Sequence, residues 1–218
     1  MQQIERRMRG KVGVAGLVAM LAALDAGVVH ANTIIDEWQT VKAPSAPQLQ
    51  PVTVDPGSTA LIVMDISTQS CTAARRPRCV AMIPAVQKLL TEARAKGMFV
   101  LYTLAGTSKR SDIIKEVAPR DGEDALSGGS PDKFVGIDLE TLLKGKNIKT
   151  LITVGTAAEG AVLHTAAGAA FRGFDVVVPV DCMSSTSVYA EQYTAWHLVN
   201  APRLTDKVKL TRVDLIQF

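Results

Sequence analysis

Cysteine, aromatic residues and excess charge of either sign are all scarce in this chain. Three cysteines in 218 residues are too few for a disulfide-built scaffold, and with no Cys-x-x-Cys pair they suggest no structural zinc site. Lys+Arg 24 against Asp+Glu 21 leaves +3, too weak for the electrostatic footprint of a nucleic-acid partner. There is no phosphate-cradling glycine loop, no His-rich metal cluster and no internal repeat, so neither a metal nor a cofactor is expected. No apolar run reaches the roughly 20 residues of a membrane-spanning helix. What is present is 47% hydrophobic residues and a mean hydropathy of +0.17, enough to bury a core. The length suits one domain plus an appendage, and the expected partner is a small molecule.

The appendage is residues 1–31. Arg6, Arg7, Arg9 and Lys11 precede an apolar run from Val12 to Leu24, and Val29-His30-Ala31 closes it on a small residue. That order is a secretory signal, with cleavage expected after Ala31. Asp25 interrupts the run, so no stable membrane insertion is expected once the signal is removed. The expected location is periplasmic or secreted. Four of the 24 basic and two of the 21 acidic side chains fall in this segment, leaving 20 against 19 in the rest. Residues 32–57 follow as a Pro-rich extended arm or linker, in which Pro44, Pro47, Pro51 and Pro56 resist helix. An oxidising compartment favours joining Cys71 to Cys79 across CTAARRPRC. Such a closure is worth roughly 2.5 kcal/mol in chain-entropy terms. Cys182 is then the leftover thiol, behind a strand end.

From residue 58 short apolar runs alternate with helical periods, the pattern of strand–helix–strand units around a parallel sheet. The runs are Ala60 to Met64, Met98 to Tyr102, Thr150 to Val154 and Phe174 to Val180, with a weaker one from Val208 to Val213. Val86, Leu89, Leu90 and Ala93 share a helical face, as do Leu139, Leu142 and Leu143. Gly97 and Gly173 stand just past two helices, where a left-handed stop favours glycine. EGAVLHTAAGAAF, residues 159–171, is rich in Ala and Gly and predicts a helix that packs closely on the sheet. The stretch from Ala105 to Asp132 has little apolar period, so it reads as a long loop, functional or disordered, at the carboxyl edge of the sheet.

Three features can carry chemistry. Asp65 ends the apolar run TALIVMD, and a carboxylate at the end of a buried strand is costly unless paired or functional. Lys133 in SPDKFVGIDLE follows the long loop and precedes a helix whose cap is Asp138. The turn from Gly155 to Ala161 joins a buried strand to a helix amino end, where free N–H groups can hold an anion or oxyanion. Glu159 in that first turn is either a polar pocket group or simply favourable with the helix dipole. His164 and His197 read as packed or surface residues rather than ligands. Tyr189, Tyr193 and Trp196 fall on one helical face and read as core or as a subunit contact.

Over roughly residues 58–216 these segments together resemble the isochorismatase-like hydrolase superfamily. TALIVMD resembles its first strand with the terminal acid. KFVGIDLETLLKGKNIKTLITVGTAAEGAVLHTAAGAAFRGFDVVVPVD resembles its lysine region, helix, glycine-ended strand, nucleophile helix and next strand. The resemblance implies a single α/β domain over residues 58–218, three-layer α/β/α, with a mostly parallel six-stranded sheet. It also implies a small-molecule substrate and a homo-oligomer.

Most members hydrolyse C–N bonds with an acid, a lysine and a cysteine thiolate beside an oxyanion site. By correspondence Asp65 is the acid and Lys133 the lysine. Thr156, Ala157 and Gly160 form the substrate and oxyanion turn, and Thr156-Ala157 matches a bond that is often cis in the family. The nucleophile position is Ala161, whose methyl group cannot attack a carbonyl. Three readings follow: a hydrolase that works without a thiol, with Asp65 as general acid or base; a small-molecule binding protein without turnover; or a Cys-to-Ala variant of an amide or ureide hydrolase. In a further reading, Cys71 is itself a reactive thiol near Asp65.

Overall fold

A computed structural model describes residues 31–218, so the expected signal segment lies, Ala31 apart, outside the described residues. The chain divides into two compact units between Ala43 and Pro44. In the first, α1 (Ile34–Glu37) is one exposed turn, started by Thr33 donating its N–H and its hydroxyl to Asp36 Oδ2, each at 2.8 Å. No helix among the described residues is long and apolar enough to cross a membrane.

The second unit contains, in order, β1 (Val52–Thr53), β2 (Thr59–Met64), α2 (Pro77–Ala95), β3 (Phe99–Leu104), β4 (Ala125–Ser127), α3 (Leu139–Gly145), β5 (Thr150–Thr156), α4 (Leu163–Phe171), β6 (Asp175–Pro179), β7 (Met183–Ser184), α5 (Val188–Asn200), β8 (Val208–Thr211) and β9 (Ile216–Gln217). The main sheet runs β4-β3-β2-β5-β6-β8, every neighbour parallel, and the two residues of β7 pair with the end of β5. The apolar runs became strands because they alternate between two buried faces. Leu61 and Val63 join a cluster with Val86, Leu89 and Leu90 of α2. Ala60, Ile62 and Met64 join a second cluster with Leu139 of α3, Ala166 of α4 and Leu198 of α5. Helices thus cover both faces, which is why the strands read as nearly continuous apolar runs.

The Pro-rich residues 44–57 lie along this unit. Gln50 donates its N–H to Leu210 O at 2.9 Å, the Thr211 hydroxyl donates to Gln50 O at 2.7 Å, and β1 pairs parallel with β9. Val52 and Val54 are buried there, so the segment is an edge of the domain and not a free tether.

The segment from Ala105 to Asp132 differs from a structureless loop. It holds two 3₁₀ turns, Arg110–Asp112 and Lys115–Val117, and the outermost strand β4, too short at Ala-Leu-Ser to show a period. Arg94 of α2 anchors it. Its Nε donates to Glu123 Oε1 at 2.8 Å, and its Nη2 donates to Glu123 Oε2 at 2.7 Å and to Ala118 O at 3.0 Å. Burial alone would raise the Glu123 pKa, but the hydrogen bonds from Arg94 and from the Arg120 N–H, with the adjacent charges, hold it below the usual carboxylate value. A depressed folded-state pKa stabilises the fold above the unfolded pKa, and that contribution is lost as pH falls through the folded one. The stability gap between wild type and Glu123→Gln, measured by urea unfolding, is therefore expected to be widest near neutral pH and to shrink on acidification. A gap independent of pH would show that the anchor does not depend on the charge.

Candidate active site

Strand β2 leads through α2 to β3 on one side, whereas β5 leads through α4 to β6 on the other. The connections diverge between β2 and β5, and a crevice opens outside the carboxyl ends of the strands at such a point. Asp65 leaves β2 there with φ 59°, in the left-handed region that aspartate tolerates better than most residues. Its N–H donates to Thr103 O on neighbouring β3 at 3.1 Å, which fixes the backbone of the turn.

The carboxylate is doubly held. The Thr103 hydroxyl donates to Oδ1 at 2.9 Å, and Lys133 Nζ lies 2.9 Å from Oδ2. Both charged groups are buried, with side-chain exposures of 8% for Asp65 and 2% for Lys133. Lys133 reaches this position because its segment is fastened to α4. The Lys133 N–H donates to the Thr165 hydroxyl at 3.1 Å, and that hydroxyl donates in turn to Pro131 O at 3.2 Å. Gly168, one turn further along α4, leaves room for Asp132: a Cβ there would lie 2.8 Å from its carboxylate oxygens.

Beside this pair the chain leaves β5 through Gly155 and a cis Thr156-Ala157 bond, then enters a π-helical turn, Ala158–Val162, ahead of α4. Ala161 is buried in this turn and shares an apolar cluster with Met64 and Phe134, the immediate neighbours of Asp65 and Lys133. The Gly160 N–H is already committed to Ala157 O at 3.1 Å, and the Val162 N–H to the same oxygen at 3.2 Å. Thr156 contributes its side chain: the hydroxyl donates to Ser184 O at 3.0 Å and accepts from Arg76 Nη1 at 2.8 Å. Glu159 has one carboxylate oxygen buried without a hydrogen-bond partner among the described residues.

None of the three cysteines is an exposed free thiol. Cys71 and Cys79 form a disulfide with Cα atoms 5.3 Å apart, which removes Cys71 as a reactive thiol. Cys182 is fully buried, and burial first, then the neighbouring Asp181, pushes its thiol pKa up, so it stays protonated. His164 is exposed, and His197 pairs with Tyr193 at 3.3 Å. Tyr189, Tyr193 and Trp196 are exposed on α5 and not part of the core. Among the described residues no cluster of His, Cys, Asp and Glu could hold a metal.

Sequence reasoning missed Thr103, Thr165 and Arg76. The signal for Thr103 was present as the one threonine in the apolar strand FVLYTL, beside the strand that ends in the acid. Arg76 carried none, because exposed arginines are common.

The fold and the site bear on kinship together. A cysteine hydrolase from Pseudomonas syringae pv. phaseolicola superposes with a TM-score of 0.66 at 20% identity, over 78% of this chain and 95% of that one. In sequence, N-carbamoylsarcosine amidase of Arthrobacter is 28% identical over 151 residues, 57% of each chain. A secreted isochorismatase effector of Verticillium dahliae, Isc1, is 26% identical over 115 residues, 48% of this chain and 60% of its own. The two sequence matches thus span under two thirds of those relatives' own lengths. The Isochorismatase domain family model matches residues 59–206, more than half of the chain and every element from β2 to α5, Asp65, Lys133 and Ala161 included, so the chain belongs to the isochorismatase family.

Proposed function

We propose that this protein is an exported hydrolase of a small molecule that works without a thiol, with Asp65 as the proton-transferring group and Lys133 as its electrostatic partner. The observation that carries the reading is the buried Asp65–Lys133 pair at the sheet's switch point, beside a turn whose nucleophile position holds a methyl group. Paired with an ammonium, the carboxylate is suited to accept a proton from an attacking water. Lys133 Nζ makes no other contact to an acid among the described residues, which leaves donors for charge that develops on a substrate oxygen. The name of the Arthrobacter relative favours an amide or ureide substrate. Export is supported by the signal pattern of residues 1–31, by the disulfide and by the secreted relative. The exposed Tyr189, Tyr193 and Trp196 of α5 would serve a homo-oligomer as its contact.

The absent nucleophile also favours a second reading, a binding protein without turnover. A panel of amides, ureides and vinyl ethers separates the two. Turnover by wild type that falls about 10²- to 10⁴-fold in Asp65→Asn is expected for the hydrolase. Saturable binding with no turnover of any member would give the second reading the place of the first.

A further inference from the structure

Within the loop that Cys71–Cys79 closes, Arg75 and Arg76 stand side by side at the carboxyl edge of the sheet. Arg76 Nη1 is held by the Thr156 hydroxyl at 2.8 Å, at the end of β5. Its Nε is buried and has no hydrogen-bond partner among the described residues. A buried donor left without a partner is destabilising, so a ligand that supplies an acceptor recovers free energy there. Neither Arg75 nor Arg76 forms a salt bridge among the described residues, whereas Arg78, Arg94, Arg172 and Arg212 each pair with an acid. The two arginines line a cleft of about 270 Å³ with Ser67, Ser70, Ser108 and Thr186, and no carboxylate is among its walls. The cleft is tied to the candidate catalytic acid, because the Ser70 hydroxyl donates to Asp65 O at 2.6 Å.

We infer that this cleft is an anion subsite in which Arg76 receives a carboxylate of the substrate, so that the hydrolase prefers small amides or ureides bearing a carboxylate. With Nη1 on Thr156, the edge formed by Nε and Nη2 is the free fork, and a carboxylate matches such a fork with two parallel charge-assisted hydrogen bonds. The serine and threonine hydroxyls of the cleft supply further donors. Closing the loop with a disulfide fixes Arg76 from both sides and lowers the ordering cost of binding. The inference rests on the hydrolase reading for the word substrate, but not for the existence of the subsite.

The test compares succinamate with succinamide, which differ in a carboxylate against a neutral amide, by titration calorimetry on the oxidised protein. Succinamate is expected to bind at least about tenfold tighter to wild type. Arg76→Met should abolish that preference, and Arg76→Lys, which keeps the charge and loses the fork, should retain part of it. Equal affinity for the two ligands, no measurable binding of either, or a preference that survives Arg76→Met in a folded variant overturns the subsite. Because the readout is binding, a protein that discriminates the pair yet turns over no substrate would defeat the hydrolase reading alone.

Discussion

Lys133→Ala is expected to destabilise the fold by about 3–5 kcal/mol, since removing one partner of a buried ion pair leaves the other charge without compensation. Lys133 is 1% exposed and is among the largest fully buried side chains. After truncation the Thr103 hydroxyl still serves Oδ1, but Oδ2, now facing Lys133 at 2.9 Å, has no donor. Truncation also opens a cavity, so Lys133→Met is the informative companion: it nearly keeps the volume and removes only the charge. If the uncompensated carboxylate dominates, the two variants lose similar stability in urea unfolding. Joining Lys133→Met to Asp65→Leu should then restore much of the loss, because a buried pair exchanged for apolar groups is often neutral, and contacting residues couple by about 0.5–3 kcal/mol. Lys133→Met within 1 kcal/mol of wild type, roughly the size of an average substitution, would mean that water screens the pair. Activity separates the roles further, since the double variant should be folded and inactive.

The same pair shows how far the sequence was legible. Asp65 and Lys133 are 68 positions apart, yet each was marked by its setting: an acid closing a buried strand, and a lysine beside the helix that precedes the next buried strand. The strands of the parallel sheet were legible for a related reason, as burial on both faces demands apolar residues at nearly every position. Strands without that demand were not. β4, β7 and the β1–β9 pair are two or three residues each, too short to show a period, and all but the buried β7 are partly exposed, so their composition does not differ from that of loops. The fastening of Lys133 to Thr165 and of Arg76 to Thr156 depends on side-chain hydrogen bonds between distant segments, and threonine is too common to announce them. The aromatic face of α5 misled in part: spacing placed its three residues together, but spacing cannot tell an inward stripe from an outward one.

Gly155→Ala is expected to cost about 4 kcal/mol or more, among the largest effects of any single methyl group in the chain. Gly155 pairs with Met64 in the ladder between β5 and β2, and its φ of 135° lies where side chains are strained. A Cβ there would stand 2.1 Å from Met64 O and 2.8 Å from Met64 C. Neither atom can swing away as a side chain does. They belong to a fully buried strand whose next residue, Asp65, is tied by its N–H to Thr103 O. Relief therefore requires the ends of β2 and β5 to separate, which moves Asp65 relative to Lys133 and Thr156 relative to Arg76. The companion variant is Gly145→Ala at the end of α3, where a Cβ meets nothing within 4 Å. Alanine is the better helix former by about 1 kcal/mol, so that change should be neutral or stabilising. Thermal and urea unfolding of the two variants thus compare the same added methyl in open space and against a backbone carbonyl. Equal stabilities would mean that β2 and β5 diverge before Asp65, and the buried pair would lose the strand geometry that places it.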